Sequence, residues 1–410
     1  MKKSILVLSS LLVVAVVLLG VEGCKKSNPT FVMSTLVAGA IDLNGATPPN
    51  TVPANPTIEA TFSVDVDATT ATNAYITLVR DYDQASINLT ITVAGNKITI
   101  VPVGDLGGGS LYLLSFLDGL KATDGQLLTL TTRAFTTVGL FVPSGVVAYW
   151  SFENTADDQV GGFNPASADV IDVTYADSYK AAAGKAASFN GSTTIIEIPN
   201  GDVLMDTHDF TLSFWVKTNS ADKTSGDFVM GLAGWFGFQF EIAADYSSCK
   251  LAAQYNESDT ATASEDLWFP ANGNLGWQGW TFCRDLTSIG GLPTYIKDKW
   301  SNIVCVYNST TKVGTMYINN EKEKSQDFNL WPAGDAKTGV VGLKLSALAL
   351  SKNLAFGFIQ GRNNRTITDT WADYADPANS HFKGLLDDVR IFHKALTEQE
   401  INLMYQSEKP

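Results

Sequence analysis

Histidine is scarce in this sequence, and the familiar catalytic motifs are missing as well. The 410 residues include only three histidines: His208, His381 and His393. None has a sequence neighbour that would complete a metal site or a catalytic triad, and there is no Gly-x-Ser-x-Gly turn or phosphate-binding glycine loop. Motifs therefore give no support for hydrolysis or phosphoryl transfer, although residues distant in sequence can still assemble an active site.

Cysteine is almost as rare. Of the four cysteines, the three that follow Cys24 are far apart and lack the close spacing of metal ligands: Cys249, Cys283 and Cys305. An exported protein can hold a disulfide, and Cys249 and Cys283 are the candidate pair. Cys305 lies in an alternating apolar segment and is expected to be a buried thiol.

Positive charge is in short supply. The chain has 28 lysines and arginines against 42 aspartates and glutamates, which gives a net charge of -14. Nucleic-acid binding requires basic patches that neutralise phosphates, so we expect no nucleic-acid partner. An acidic excess of this size helps an exported protein to stay in solution.

Long apolar runs are missing beyond the N-terminus. Lys2 and Lys3 open the chain, and residues 5–19 are mostly apolar. That run is shorter than the roughly 20 residues needed to span a bilayer. A basic start and a short apolar centre are typical of an export signal, so residues 1–23 are predicted to be a signal peptide.

The signal ends at residues 20–24, with the letters Gly-Val-Glu-Gly-Cys. This ending resembles the lipobox of bacterial lipoproteins, with Glu22 in place of the usual small residue. The resemblance implies that Cys24 is lipidated and anchors the protein to a membrane of the bacterial cell envelope, with residues 24–29 as a tether. An ordinary secretory signal cut nearby is the alternative.

Roughly 385 residues follow, and a chain of that length predicts two domains. In the first, residues 30–139, the segments 57–62 and 88–93 alternate between apolar and polar. A turn at 94–96 leads from the second of them into a partner strand at 97–102. Short strands at regular spacing predict a β-sandwich.

This first domain resembles the bacterial Ig-like domains of surface proteins. The resemblance rests on residues 62–67, on the end of the hairpin at 101–102, and on Asp124-Gly125 ahead of residues 135–137. It implies a spacer without chemistry of its own.

The second domain, residues 145–410, ends in an apolar strand at 384–392. Thr397 and Glu400 have the spacing of a capping box, which predicts a short helix after that strand. Val389 and Ile391 alternate in the strand and are expected to face a core.

Gly-Leu-Leu-Asp-Asp-Val-Arg-Ile-Phe at 384–392 resembles the last strand of laminin-G-like members of the concanavalin A-like lectin/glucanase superfamily. Five further stretches match that family in order: 156–161, 187–199, 210–217, 300–308 and 314–320. The resemblance implies an all-β chain in which the Ig-like β-sandwich precedes a two-sheet antiparallel jelly roll with a short C-terminal helix.

Asp387 alternates with Val389 and is expected at the core face, where a carboxylate needs a partner. Many jelly-roll domains hold Ca²⁺ between their first and last strands. The resemblance therefore predicts a structural calcium site formed by four residues: Asp387, Glu153, Asp158 and Asn190. The alternatives are hydrogen bonds from Asp387 to backbone amides, or an ion pair with Arg390, which alternation places on the opposite face.

The segment from 245 to 299 is longer than is usual in the family. It carries three tryptophans that we select as candidate ligand-binding residues: Trp268, Trp277 and Trp280. Exposed rings in loops of a rigid sandwich can stack on sugars. The same rings can instead form a satellite core that orders the insert.

Glycan-cleaving relatives commonly use two carboxylates that flank the scissile bond. In one large group of hydrolases these acids lie on a single strand as Glu-x-Asp-x-x-Glu or close to it. That pattern is absent, and residues 240–243, with Glu241, come nearest to it. The resemblances, taken with this absence, imply non-catalytic carbohydrate binding by an envelope-anchored lipoprotein with an Ig-like spacer. Binding of a protein ligand at the cell surface or matrix is the alternative, and an enzyme with an unfamiliar site is a third.

The lipid anchor gives a first prediction. Replacing the lipidated thiol, Cys24→Ser, should move the protein from the detergent phase to the aqueous phase in detergent partitioning, because neither domain offers another anchor. Wild type and variant that both partition into the aqueous phase would contradict the anchor.

Overall fold

The computed structural model describes residues 29–257, 261–270 and 277–410. The predicted signal peptide, Cys24 and the tether before residue 29 lie outside the described residues, as does the side chain of Trp277. Across the described ranges, no helix has the length and apolar character needed to cross a bilayer. The chain divides into two compact units between Gly139 and Leu140.

Strands are the regular elements of the first unit within residues 29–139. In chain order they are β1 (Met33–Ala38), β2 (Ile41–Asp42), β3 (Ile58–Phe62), β4 (Ile76–Arg80), β5 (Ala85–Ile87), β6 (Leu89–Ala94), β7 (Lys97–Pro102), β8 (Leu111–Phe116) and β9 (Thr131–Thr136). They form two antiparallel sheets, ordered β2-β1-β3-β7-β6 and β5-β4-β8-β9.

The core of this unit lies between its two sheets. Ile58, Ala60 and Phe62 of β3 are buried in alternation, and Phe62 meets Phe116 of β8 edge to face at 6.1 Å. The predicted hairpin is formed by β6 and β7, which pair up to Ala94 and Lys97. The predicted Ig-like β-sandwich is confirmed.

The second unit is also mostly strand. Its strands are β10 (Val146–Trp150), β11 (Val170–Ile171), β12 (Thr174–Asp177), β13 (Lys185–Asn190), β14 (Ile195–Ile198), β15 (Phe210–Thr218), β16 (Asp227–Leu232), β17 (Phe238–Ile242), β18 (Cys249–Asn256), β19 (Thr262–Phe269), β20 (Trp280–Cys283), β21 (Trp300–Asn308), β22 (Val313–Ile318), β23 (Glu321–Asp327), β24 (Gly342–Leu343), β25 (Leu354–Phe356) and β26 (Lys383–Phe392). Two α-helices accompany them, α1 (Pro293–Ile296) and α2 (Glu398–Glu408).

Short 3₁₀ helices occupy several connections of the second unit. They are Ser167–Asp169, Ala181–Ala183, Gly201–Leu204, Gly234–Phe236, Trp277–Gly279, Thr287–Ile289, Phe328–Leu330, Ala336–Gly339 and Thr370–Ala372.

Two antiparallel sheets face each other across the core of the second unit. The first runs β12-β13-β26-β15-β21-β22-β23-β20, with β10 paired to β26, and the second runs β11-β14-β25-β16-β17-β18-β19, with β24 paired to β18. Phe214 of β15 meets Phe240 of β17 across the core, with ring centroids 5.0 Å apart. The jelly roll and its C-terminal helix are as predicted.

A β-bulge in β26 changes the direction in which Asp387 points. Ser213 on β15 pairs with Arg390. Trp215 on β15 pairs with Asp387, so a step of two residues on β15 lies opposite a step of three residues on β26. The extra residue is accommodated at Asp388, whose φ of 48° is typical of such bulges. Asp387 therefore shares the outer face with Trp215, and the prediction that it faces the core is wrong.

Arg390 is fully buried on this outer face, beneath α2. Its Nη1 lies 2.5 Å from Oε1 of Glu408, and its Nη2 lies 3.1 Å from Oδ1 of Asp388. The guanidinium stands 4.3 Å above the ring of Tyr149 on β10. Trp215 donates its indole N–H to Oε2 of Glu408 at 2.8 Å. Arg390 thus pairs with Asp388 and Glu408, and not with Asp387.

Helix α2 begins at the predicted capping box. The backbone N–H of Glu400 donates to Oγ1 of Thr397 at 3.2 Å, and the N–H of Thr397 donates to Oε2 of Glu400 at 3.1 Å. At the other end, Lys180 donates to the carbonyl of Ser407 at 3.0 Å, where the helix dipole favours a cation. The helix is therefore capped at its start, and its end is bonded to Lys180 in the connection between β12 and β13.

Cys249, Cys283 and Cys305 are all free thiols in the described chain. The candidate disulfide between Cys249 and Cys283 is therefore not formed. Cys249 is buried, with its Sγ 3.8 Å from Sδ of Met316, and Cys305 is buried as predicted.

The buried ion pair gives a stability prediction. Glu408→Ala removes one partner of a buried charge and should lower the free energy of unfolding by roughly 3–5 kcal/mol. The double variant Arg390→Met/Glu408→Leu removes both charges and should cost less than the two single changes added together. Urea unfolding midpoints measure both effects.

Asp177→Ala is the matched control, because it breaks a solvent-exposed pair with Lys185 at 2.7 Å. Its cost should lie at about 0–1 kcal/mol. A Glu408→Ala protein as stable as this control would show that the pair does not hold the helix.

Candidate ligand-binding face

One row of side chains crosses the outer face of the second sheet. Phe228 on β16 pairs with Glu241 on β17, which pairs with Lys250 on β18, which pairs with Trp268 on β19. Directly paired residues in an antiparallel sheet point to the same face. Strands lie about 4.8 Å apart, so the row is about 14 Å long.

These four residues face outward because their neighbours in the strands face the core. Phe240 and Ile242 flank Glu241, and both belong to the inter-sheet core, as do Leu251 and Leu267 on the next two strands. An antiparallel sheet with one covered face alternates in this way. The pattern therefore places polar residues where a ligand can reach them.

A cavity of about 360 Å³ lies over this row. Its lining comprises Gly226, Phe228, Glu241, Ile242, Ala243, Ala244, Ser248, Cys249, Lys250, Asp266, Trp268 and Ser380. Trp268 is 44% exposed and forms one wall, so its ring offers an apolar surface beside polar groups. That combination is typical of small-ligand and sugar sites.

The polar part of the cavity is an ion triad. Nζ of Lys250 lies 3.2 Å from Oε1 of Glu241 and 2.9 Å from Oδ2 of Asp266. Gln239 donates its amide to Oε2 of Glu241 at 2.8 Å. Burial raises the pKa of Glu241, and the neighbouring Lys250 opposes that rise. The triad therefore presents carboxylate oxygens that are already positioned by bonds within the protein.

A second exposed tryptophan stands at the other end of the row. The ring of Trp371 is 40% exposed and meets Phe228 edge-on at 6.0 Å. It also stacks on Trp235, with centroids 5.7 Å apart. The buried amide of Gln360 holds this segment, donating to the carbonyls of Ile367 and Ala372 at 2.9 Å each.

We call the row with its triad and its two flanking tryptophans the aromatic-acid face. Its members are Phe228, Gln239, Glu241, Lys250, Asp266, Trp268 and Trp371. Trp268 was selected from the sequence, whereas Trp371 and the triad were not. Glu241 and Lys250 could have been noticed in the sequence as polar residues within alternating strands. The sequence does not show that they pair with each other, because that depends on which strands become neighbours in the sheet.

Trp280 does not fit an exposed binding platform. Trp280 is only 5% exposed, and Nζ of Lys324 lies 3.5 Å from the centroid of its ring. The cause is local pairing, because Trp280 opens β20 and pairs with Gln326 of β23 at the edge of the first sheet. The prediction that Trp280 stacks on a ligand is therefore contradicted. Only the backbone of Trp277 is described, in the turn before β20.

All four predicted calcium ligands accept hydrogen bonds from backbone N–H groups. Asp158 accepts from the N–H groups of four residues, Tyr149, Val160, Gly161 and Phe163, at 2.7–3.0 Å. Oδ1 of Asn190 accepts from the N–H groups of residues 192–194. Glu153 accepts from the N–H of Lys185 at 3.2 Å.

The fourth, Asp387, also has local partners. Its Oδ1 accepts from the N–H of Asp388 at 2.7 Å, and its Oδ2 accepts from the hydroxyl of Ser178. Within residues 29–257, 261–270 and 277–410, no three His, Cys, Asp or Glu residues are grouped so as to hold a metal ion. These four residues do not fit a calcium site, and calcium binding itself stays a prediction.

Burial raises the pKa of Asp387 well above its ordinary value, and the adjacent Asp388 raises it further. A raised pKa in the folded state means that the protonated carboxyl stabilises the fold. That stability is complete below about pH 4, the pKa in the unfolded chain, and is lost as the pH rises through the raised pKa.

Asp387→Asn tests this role, because an amide resembles the protonated carboxyl in shape and hydrogen bonding. The variant should melt at the same or a higher temperature at pH 7, and its melting temperature should depend less on pH above about pH 4. Asp388→Asn is the control and should destabilise, since it removes a partner of Arg390. A calcium ligand would behave differently: Asp387→Asn would destabilise, and a chelator would lower the melting temperature of wild type alone.

Comparison with protein families gives two matches. A model described as bacterial Ig-like domain matches residues 26–137. A model described as concanavalin A-like lectin/glucanases superfamily matches residues 190–342. A comparison with curated proteins gives no match.

Comparison with solved structures gives distant similarities. The receptor-binding domain of botulinum neurotoxin mosaic serotype C/D is 15% identical, covering 64% of this chain and 51% of its own, with a TM-score of 0.40. The serotype D ligand-binding domain in complex with N-acetylneuraminic acid is 16% identical, covering 65% and 51%, with a TM-score of 0.41. The chain thus spans about half the length of these neurotoxin domains.

Domain 4 of AbnA, a GH43 extracellular arabinanase from Geobacillus stearothermophilus in complex with arabinotriose, is 18% identical, covering 64% of this chain and 98% of its own, with a TM-score of 0.36. By its sequence matches and its two sandwiches, the chain carries a bacterial Ig-like domain followed by a domain of the concanavalin A-like lectin/glucanase superfamily.

Proposed function

We propose that the protein is a non-catalytic carbohydrate-binding lipoprotein of the bacterial cell envelope, and that the aromatic-acid face binds the glycan. The observation that carries the proposal is the row itself. Two exposed tryptophans, Trp268 and Trp371, stand at either end of a polar triad on a rigid sheet. The apolar face of a sugar ring can stack on an indole while its hydroxyl groups bind the triad.

The length of the row favours a chain of sugars over a single ring. It crosses four paired strands, a distance of about 14 Å. The tryptophans are also held in place, Trp268 by the strand and Trp371 by its stack on Trp235. A preorganised surface of this kind loses little conformational entropy when it binds.

The position of Lys250 supports the proposal that binding is non-catalytic. Glycoside hydrolysis requires one carboxyl as a proton donor and a second as nucleophile or base, with the scissile bond between them. In the triad, the ammonium group of Lys250 contacts both Glu241 and Asp266. A cation in that position occupies the space between the two carboxylates and forms an ion pair with each of them. They are therefore better suited to accept hydrogen bonds from sugar hydroxyls.

The N-terminal residues complete the proposal. Lipidation of Cys24 would attach the chain to a membrane, and the Ig-like domain would act as a spacer between that anchor and the lectin-like domain. Both roles rest on the sequence resemblances. The bound glycan would then be one that is accessible at the cell envelope.

The tryptophans test the glycan site. Trp268→Ala and Trp371→Ala should each weaken binding of the best ligand on a glycan array by about 30-fold, which corresponds to the roughly 2 kcal/mol of an aromatic hot spot. Their melting temperatures should stay close to wild type, because both rings are partly exposed. Calorimetric titration and thermal unfolding give the two readouts.

Trp280→Ala is the matched control. Its ring is buried against Lys324, so this variant should lose about 3–5 kcal/mol of stability. If Trp268→Ala and Trp371→Ala bind the glycan like wild type, the site lies elsewhere. If no glycan binds and a purified surface protein does, the chain is an adhesion module.

A further inference from the structure

The charges on the aromatic-acid face are unequal in number. Among the described residues that line its cavity, the charged side chains are Glu241, Asp266 and Lys250. Two negative charges and one positive charge give a local balance of minus one. The face therefore differs from a basic site, in which a cation is free to receive an anionic ligand.

The single cation is already committed to bonds within the protein. Its Nζ lies 3.2 Å from Glu241 and 2.9 Å from Asp266, and the side chains of Lys250, Glu241 and Asp266 are 27%, 24% and 40% exposed. An acidic sugar would have to displace one of these carboxylates to reach Lys250. The displaced carboxylate would then be half-buried beside another negative group, which is unfavourable.

Uncharged and basic sugars meet the opposite situation. Hydroxyl groups can donate to the free lone pairs of Glu241 and Asp266, and hydrogen bonds to a charged acceptor are stronger than those between neutral groups. An ammonium group would gain charge-assisted bonds to the same oxygens. Asp266 lies two positions before Trp268 on β19, so its carboxylate and the indole ring are on the same face.

The charge of the whole chain acts in the same direction. A net charge of -14 repels anionic ligands before they reach the surface. This long-range effect weakens with added salt, whereas contacts within the half-buried triad are screened much less. Salt dependence therefore separates the two contributions.

We infer that the aromatic-acid face selects glycans by charge: it accepts neutral and amino-sugar chains and rejects chains that carry uronate, sialic acid or sulfate. This inference rests on the proposed function, because it assigns a ligand class to the same site. Glu241 and Asp266 are the residues that determine the selection, and Lys250 holds them in place.

The experiment compares chains that share one backbone and differ in charge. Full-length mature protein is titrated with cello-oligosaccharides and their C6-oxidised uronate forms, and with chitin and chitosan oligosaccharides of equal length. We expect the neutral and amino forms to bind at least tenfold more tightly than the uronate form at physiological salt. The difference should persist at 0.5 M sodium chloride.

Asp266→Asn and Glu241→Gln keep the shape of each side chain and remove its charge. Each should weaken binding of chitosan oligosaccharides by roughly tenfold, the difference between a charged and a neutral acceptor. Each should also reduce the discrimination against uronate chains, and binding of neutral chains should weaken less than binding of chitosan oligosaccharides, because a hydroxyl group loses a charged acceptor but not an ion pair. Asp222→Asn, at an exposed acid outside the lining of the cavity, changes the net charge equally and should leave both preferences unaltered.

The outcomes are distinct. Uronate chains that bind wild type as tightly as neutral chains would overturn the charge selection and leave the glycan site intact. Discrimination that survives in both Asp266→Asn and Glu241→Gln would also overturn it. If none of the four oligosaccharide types binds wild type and a glycan array shows no ligand, the proposed function and this inference both fail.

Discussion

The fold of the second unit depends on a guanidinium buried between a sheet and a helix. Arg390 lies in the last strand, β26, and its partner Glu408 is the last residue of α2. Asp388 lies two positions before Arg390, at the bulge of β26. The two hydroxyls that bond Asp388 come from Tyr149 on β10 and from Tyr179, after β12. One buried charge thus ties the first strand, the last strand and the final helix together. Removing either anion leaves the guanidinium short of a partner away from water, so Asp388 and Glu408 both contribute to the stability of this unit.

This arrangement decides which face of the unit is open to ligands. On the first sheet, Trp215 is stacked between Tyr179 and Tyr405, with centroids at 4.3 and 5.9 Å, and α2 lies over it. The second sheet is covered in part by the segment before β26, where Phe358 and Ile367 form a satellite core. The part of β17 to β19 around Glu241, Lys250 and Trp268 is left partly accessible, and the triad is found there. The capped face provides rigidity, and the open face is available for binding.

Alternation in the sequence predicted the strands well, but it could not predict the pairings. Phe210, Leu212 and Phe214 face the core as expected. The face of Asp387 was predicted wrongly because one extra residue at Asp388 shifts the register, and a bulge of this kind has no reliable sequence signal. The row from Phe228 to Trp268 joins residues that are 40 positions apart. Its register follows from which strands become neighbours, so the sequence showed the tryptophan without the acids beside it.

A polar row on a solvated sheet face is by itself ordinary, since alternation requires polar residues there. Two features distinguish this one. Its carboxylates are half-buried, Glu241 at 24% exposure, and share one cation, although exposed strands usually keep such groups in water. Large rings at both ends, Trp268 and Trp371, remain 44% and 40% exposed where a purely structural residue would be buried or polar. Exposed rings beside fixed carboxylates can bind a ligand that combines an apolar face with hydroxyl groups, and sugars have that combination.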